Sequence, residues 1–156
     1  MFILNQLIFK SGERFPILLD EDGLPEFWAT LYTSINLRES TQSSINSILG
    51  SINHFYKWQE AHKRNIFQEI TEGKVPDSYF VQSLKDFCGM RVEYIQSRFF
   101  SPKQTKVISL LDLKLSSISI LNQVGVDYQN RRMNDISKFI DFVGRHIVKK
   151  NQMLMN

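Results

Sequence analysis

The sequence has one cysteine, Cys88, in 156 residues, which excludes an internal disulfide and any zinc or iron–sulfur site built from several cysteines. No apolar run is long enough to span a bilayer. The opening MFILNQLIFK is broken by Asn5 and Gln6 and has no basic stretch before it, so it makes a poor secretory signal. A soluble protein in a reducing, cytoplasmic setting is expected, with no membrane partner. The usual catalytic patterns are missing too. His54, His62 and His146 lack partners at H-E-x-x-H spacing, and there is neither a glycine-rich phosphate loop nor a G-x-S-x-G elbow. No catalytic residue, metal or cofactor is expected on this chain. Internal repeats, low-complexity tracts and an obvious interdomain linker are absent as well.

Charge of either sign is only slightly in excess. Nineteen Lys and Arg against sixteen Asp and Glu leave +3, too little to identify an anionic partner without a favourable distribution. The distribution is uneven. Acids gather early, at Glu13, Asp20, Glu21, Asp22 and Glu26, and bases gather late, at Arg131, Arg132, Lys138, Arg145, Lys149 and Lys150. Such a polarised chain can present a basic face to an anionic polymer, although a solvated face that binds nothing has the same composition. With 42% hydrophobic and 22% charged residues, the chain has enough apolar material for a core.

The periodicity predicts a mainly α fold preceded by a β-hairpin. Apolar stretches from Phe2 to Phe9 and from Phe15 to Leu19 flank Lys10-Ser11-Gly12-Glu13, where Gly12 supplies the positive φ of a tight reversal. Asp22-Gly23 and Pro25 mark a turn, and Pro25 suits the first position of a helix with Phe27, Leu31 and Ile35 on one face. Ser40 or Thr41 can cap a long helix with Ile45, Ile48, Leu49, Ile52, Phe55 and Tyr56 inward. Its opposite strip reads Ser43, Ser47, Gly50, His54, Lys57. Ile66 to Glu72 forms a shorter helix ending at Gly73, and Asp77 or Ser78 caps one running through Leu84, Phe87, Cys88 and Ile95. A helix is expected over 106–121. The last helix covers about 130–148, with Met133, Ile136, Phe139, Ile140, Val143 and Ile147 on its apolar side. Cys88, Trp28, Phe55 and Trp58 are expected in the core.

Two features suit binding. The helix start at Thr41 offers unpaired backbone N–H groups and the hydroxyls of Thr41, Ser43 and Ser44, a combination that favours a phosphate oxygen. Ser47 and Gly50 continue the strip without bulk, which permits close approach either to a groove wall or to another helix. On the last helix, Arg131, Lys138 and Arg145 recur every seven residues and form one row.

Arg38, Ser40, Ser43, Leu49, Phe55, Tyr56 and Trp58 occur in an order and spacing that resembles the first long helix of the core-binding domain of phage-integrase-family tyrosine recombinases. FKSGERFPILLDEDGLPEFWATLY resembles the N-terminal hairpin and first helix of a bacterial subgroup. RNIFQEITEGKVPDSYFVQSL is similar to its next helix pair, and YQNRRMNDISKFIDFV to its closing helix. The likeness is weakest over 100–124. It implies a SAM-like helical bundle that clamps duplex DNA, divided into a hairpin extension (1–24), a core-binding domain (25–150) and a tail (151–156) toward a catalytic domain. By position it implies DNA contacts from Thr41, Ser43, Ser44, Ser47 and Lys57 on one helix, and from Arg131, Arg132, Lys138 and Arg145 on the other. The family assembles as a tetrameric synapse, so homo-oligomerisation on DNA is implied as well. No His-x-x-Arg box is present, so the chain is expected to be the non-catalytic amino-terminal piece of a recombinase. The competing expectations are a stand-alone helical protein-interaction module and a DNA-binding regulator.

Overall fold

The computed structural model describes residues 1–74, 77–101 and 122–154. The chain opens with an antiparallel hairpin of β1 (Ile3–Ile8) and β2 (Arg14–Leu19), paired from Ile3 opposite Leu19 to Ile8 opposite Arg14. Gly12 turns it with φ of 84°. The two strands differ sharply in burial: Pro16, Ile17 and Leu18 are buried, whereas β1 is exposed at every position but Leu4.

Helix α1 (Phe27–Asn36) starts two residues later than the sequence predicts. Pro25 is bridged to Leu19, and Glu26 caps the helix by accepting the N–H groups of Trp28 and Ala29. The buried face also differs. Phe27 and Ile35 are exposed, while Ala29, Tyr32 and Thr33 are buried and Trp28 is half-buried. Two apolar faces, Phe27-Leu31-Ile35 and Trp28-Tyr32, compete on this helix. Tyr32 faces inward because its ring packs edge-on against Phe139 and Phe142, and burying the larger aromatic removes more apolar area from water.

Helix α2 (Gln42–His62) is the central element. Thr41 caps it by accepting the Ser44 N–H, and Lys63 ends it with φ of 52°. Ile45, Leu49, Ile52 and Phe55 are buried as the periodicity predicts, Trp58 is buried with them, and Ile48 and Tyr56 are half-buried. Helix α3 (Ile66–Thr71) ends before Gly73, whose φ is 76°. Asp77 caps α4 (Ser78–Cys88) through the Phe80 N–H. The sequence suggests one helix through Ile95, but the chain breaks at Gly89–Arg91. A second short helix, α5 (Val92–Ile95), follows and continues into a π-helical turn, Gln96–Phe100. The helix expected over 106–121 lies outside the described residues.

Helix α6 (Val126–Leu154) is longer than the 130–148 expected and reaches into the stretch assigned to a tail. Ile136, Phe139, Phe142, Val143 and Ile147 enter one core with Leu18 of the hairpin, Tyr32, the α2 face, Phe67 and the α4 residues Phe80, Leu84 and Phe87. Helix α6 therefore packs on α1, α2, α3 and α4 with one side only. The opposite side, from Asn130 through Asn134 and Ser137 to Asp141, is exposed.

Candidate nucleic-acid interface

A buried hydrogen bond fixes α2 against α6: the Ser51 hydroxyl donates to an Asp135 carboxylate oxygen at 2.9 Å. His54 and Arg132 both donate to the end of α4, at the Phe87 and Cys88 carbonyls, so α6 runs back toward its start as α2 advances. The two helices are thus antiparallel at this contact. Ser47 lies one turn before Ser51, and Lys138 lies about one turn after Asp135. Both fall on the same side of the Ser51–Asp135 bond.

The α2 strip is open where the sequence left two options. A Cβ built on Gly50 meets nothing within 4 Å, so no helix among the described residues packs there. Ser43 is exposed, and Ser44 and Ser47 are half-buried. Thr41 and Ser44 partly satisfy one another: the Thr41 hydroxyl accepts the Ser44 N–H at 3.2 Å and lies 2.9 Å from the Ser44 hydroxyl. The N–H groups of Gln42 and Ser43 have no partner among the described residues and point along the positive end of the helix dipole.

His54 does not belong to this strip. It is buried, its Nε2–H donates to the Phe87 carbonyl at 2.8 Å, and its ring packs on Phe87. Burial, reinforced by the nearby positive Arg132, lowers its pKa to about 3. Lys57 is half-buried, and burial together with Arg132 lowers its pKa as well, so it is a less readily charged cation than an exposed lysine.

On α6, Arg131, Lys138 and Arg145 are exposed. Arg131 and Lys138 make no ion pair with a described residue, while Arg145 is bound to Asp141 through Nη2 at 2.7 Å and Nε at 3.0 Å. That pair spans one helical turn in solvent and contributes little, so the guanidinium can exchange partners at small cost. The row gains two residues that the sequence reading did not single out for it. Asn134 stands three residues after Arg131 and four before Lys138, and Lys149 stands four after Arg145; both are exposed.

Arg132 is a correction. Although it is next in sequence to Arg131, it lies on the inner side of α6 and is buried. One terminal nitrogen donates to the carbonyls of both Cys88 and Met90 at 3.0 Å, and the guanidinium lies 4.5 Å from the Tyr128 ring centroid. Those carbonyls are the orphan acceptors left where α4 ends and the chain turns into α5. Arg132 therefore caps the end of α4 from across the core and is not offered to a ligand. Cys88 lies in the same core, and burial pushes its thiol up to about 12, far from a nucleophile. Among the described residues no group of His, Cys, Asp and Glu could hold a metal, and no helix is long and apolar enough to cross a membrane. No family model, curated protein or solved structure matches the chain.

Proposed function

We propose that this chain is a duplex-DNA-binding module. It lays the open strip of α2 (Thr41, Ser43, Ser44, Ser47, Gly50) and the exposed row of α6 (Arg131, Lys138, Arg145) along the phosphate backbone. The observation that carries this reading is the juxtaposition of two surfaces excluded from the core. One has free helix-start amides and no bulk, the other has exposed cations, and the Ser51–Asp135 bond holds them together. Hydroxyl and backbone N–H groups at a helix start donate to a phosphate oxygen, and lysine and arginine neutralise its charge. The resemblance to the core-binding region of tyrosine recombinases is consistent with this surface. In that reading the catalytic tyrosine and its arginines belong to a domain outside these residues.

The contacts are phosphate contacts, so binding is salt-dependent and tolerant of sequence. Neutralising three phosphates releases their counterions and gives a log–log salt slope of about −2.7, which is about a 40-fold loss between roughly 50 and 200 mM salt. Fluorescence anisotropy with a labelled duplex over that range tests it. Absence of binding at low salt, or an affinity indifferent to salt, refutes the proposal.

A further inference from the structure

The hairpin carries an edge that nothing described covers. The Phe9 N–H donates to the Glu13 carbonyl at 2.8 Å, which sets the alternation of the ladder. Residues 3, 5, 7 and 9 direct their backbone groups to β2, so Leu4, Gln6 and Ile8 direct theirs outward. No backbone group among the described residues bonds to that edge, and the Gln6 N–H is met only by the side chain of its own neighbour Asn5, at 2.7 Å. The usual protections of an exposed edge are missing as well: from Ile3 to Ile8 there is no charge, no proline and no bulge. Exposed apolar side chains line the strand instead, with Ile3 60%, Leu7 43% and Ile8 68% accessible.

The outer face of this edge, Ile3, Asn5 and Leu7, is self-complementary. An antiparallel pair related by a two-fold axis must place one residue opposite its own copy, because the residues facing each other share a sheet face. With Asn5 on the axis, Ile3 lies opposite the second copy's Leu7, Asn5 opposite Asn5 and Leu7 opposite Ile3, so apolar meets apolar and amide meets amide. The outward residues Leu4 and Gln6 then face each other across the axis as hydrogen-bonded pairs, as the ladder alternation requires. Lys10 and Arg14 lie beyond the paired segment, so no like charges are brought together.

We infer that a second copy of this chain occupies the β1 edge, joining two hairpins into a four-stranded antiparallel sheet about a two-fold axis at Asn5. This contact does not depend on DNA. A single ladder of this length buries less than a standard interface, so the dimer is weak and concentration-dependent.

Sedimentation velocity of the full chain without DNA, from low to high micromolar concentration, is the test. A monomer–dimer equilibrium that stops at the dimer is expected. Ile3→Lys and Leu7→Glu each weaken it by about tenfold, since each change occurs twice per dimer. An equimolar mixture of the two variants regains the lost affinity, because the ammonium introduced on one chain then faces the carboxylate introduced on the other. If either variant fails to fold, the charges are exchanged as Ile3→Glu and Leu7→Lys, which face each other in the same register, so each again weakens the dimer and their mixture regains it. A monomer at every concentration overturns the inference, and so does a dimer insensitive to these changes or a mixture that regains nothing. A monomer that pairs only with another protein's strand overturns it equally. None of these results bears on DNA binding by α2 and α6.

Discussion

Replacing Arg132 by alanine separates the two roles available to a cation on α6. In the folded chain its guanidinium sits at 3.0 Å from the carbonyls of Cys88 and Met90 and over the Tyr128 ring. Alanine leaves both acceptors without a donor at the buried end of α4. An unsatisfied buried polar group costs about 1–3 kcal/mol, so two of them cost about 2–5 kcal/mol once partial relaxation is allowed. That is a large share of the 5–15 kcal/mol typical of a domain, and at this chain length it lowers Tm by about 5–20 °C. Arg132→Lys restores only part of the loss, because an ammonium lacks the planar fork and the stacking on Tyr128. Arg131→Ala, one residue earlier, shifts stability by only about ±0.5 kcal/mol, as exposed positions do. Thermal melts followed by circular dichroism, with DNA titrations well below each Tm, give both numbers for each variant. An Arg132→Ala protein that melts like the parent and loses DNA affinity would refute the assignment of Arg132 to the core.

Other perturbations follow from the same geometry. His54 titrates near 6.5 when unfolded and at about 3 when folded, so its contribution is intact above pH 6.5 and is lost as pH falls toward 3. His54→Gln should flatten that part of the stability–pH curve measured by urea denaturation, and an unchanged curve would contradict the burial argument. Ser51→Ala leaves the buried Asp135 carboxylate short of a donor and should cost about 1.5–3 kcal/mol, with most of that recovered in the background of Asp135→Asn. Gly50→Ala fills open space on a helix and should stabilise by about 0.5–1 kcal/mol, whereas Gly50→Glu should leave the melt near the parent and weaken DNA binding. A Gly50→Glu variant that binds DNA as the parent does would remove α2 from the interface.

The sequence made the large periodic elements legible. The hairpin with Gly12 at its turn, the inward face of α2, the caps at Thr41 and Asp77, and the inward face of α6 all follow from local rules that tertiary contacts do not override. The failures share a physical form: each needs knowledge of a neighbouring element. On α1 two apolar faces satisfy the helical period, and only the positions of Phe139 and Phe142 decide that Tyr32 turns inward. His54 lies at the edge of a polar strip on a helical wheel, and the Phe87 carbonyl across the core makes it an interior residue. Arg132 belongs to a run of basic residues by composition, yet a rotation of about 100° from Arg131 carries it to the end of α4. Gly50 illustrates the converse: its spacing permits either close packing or an open surface, and no described residue fills the space around it.

The proposed DNA interface is tested most directly by NMR chemical-shift mapping, titrating an unlabelled duplex into the 15N-labelled chain at low salt. The shifted amides are expected to cluster at residues 41–50 of α2 and around Arg131, Lys138 and Arg145 of α6, leaving α1, α3 and the hairpin quiet. Shifts concentrated on the hairpin or on α1, with the α6 row unmoved, would contradict it.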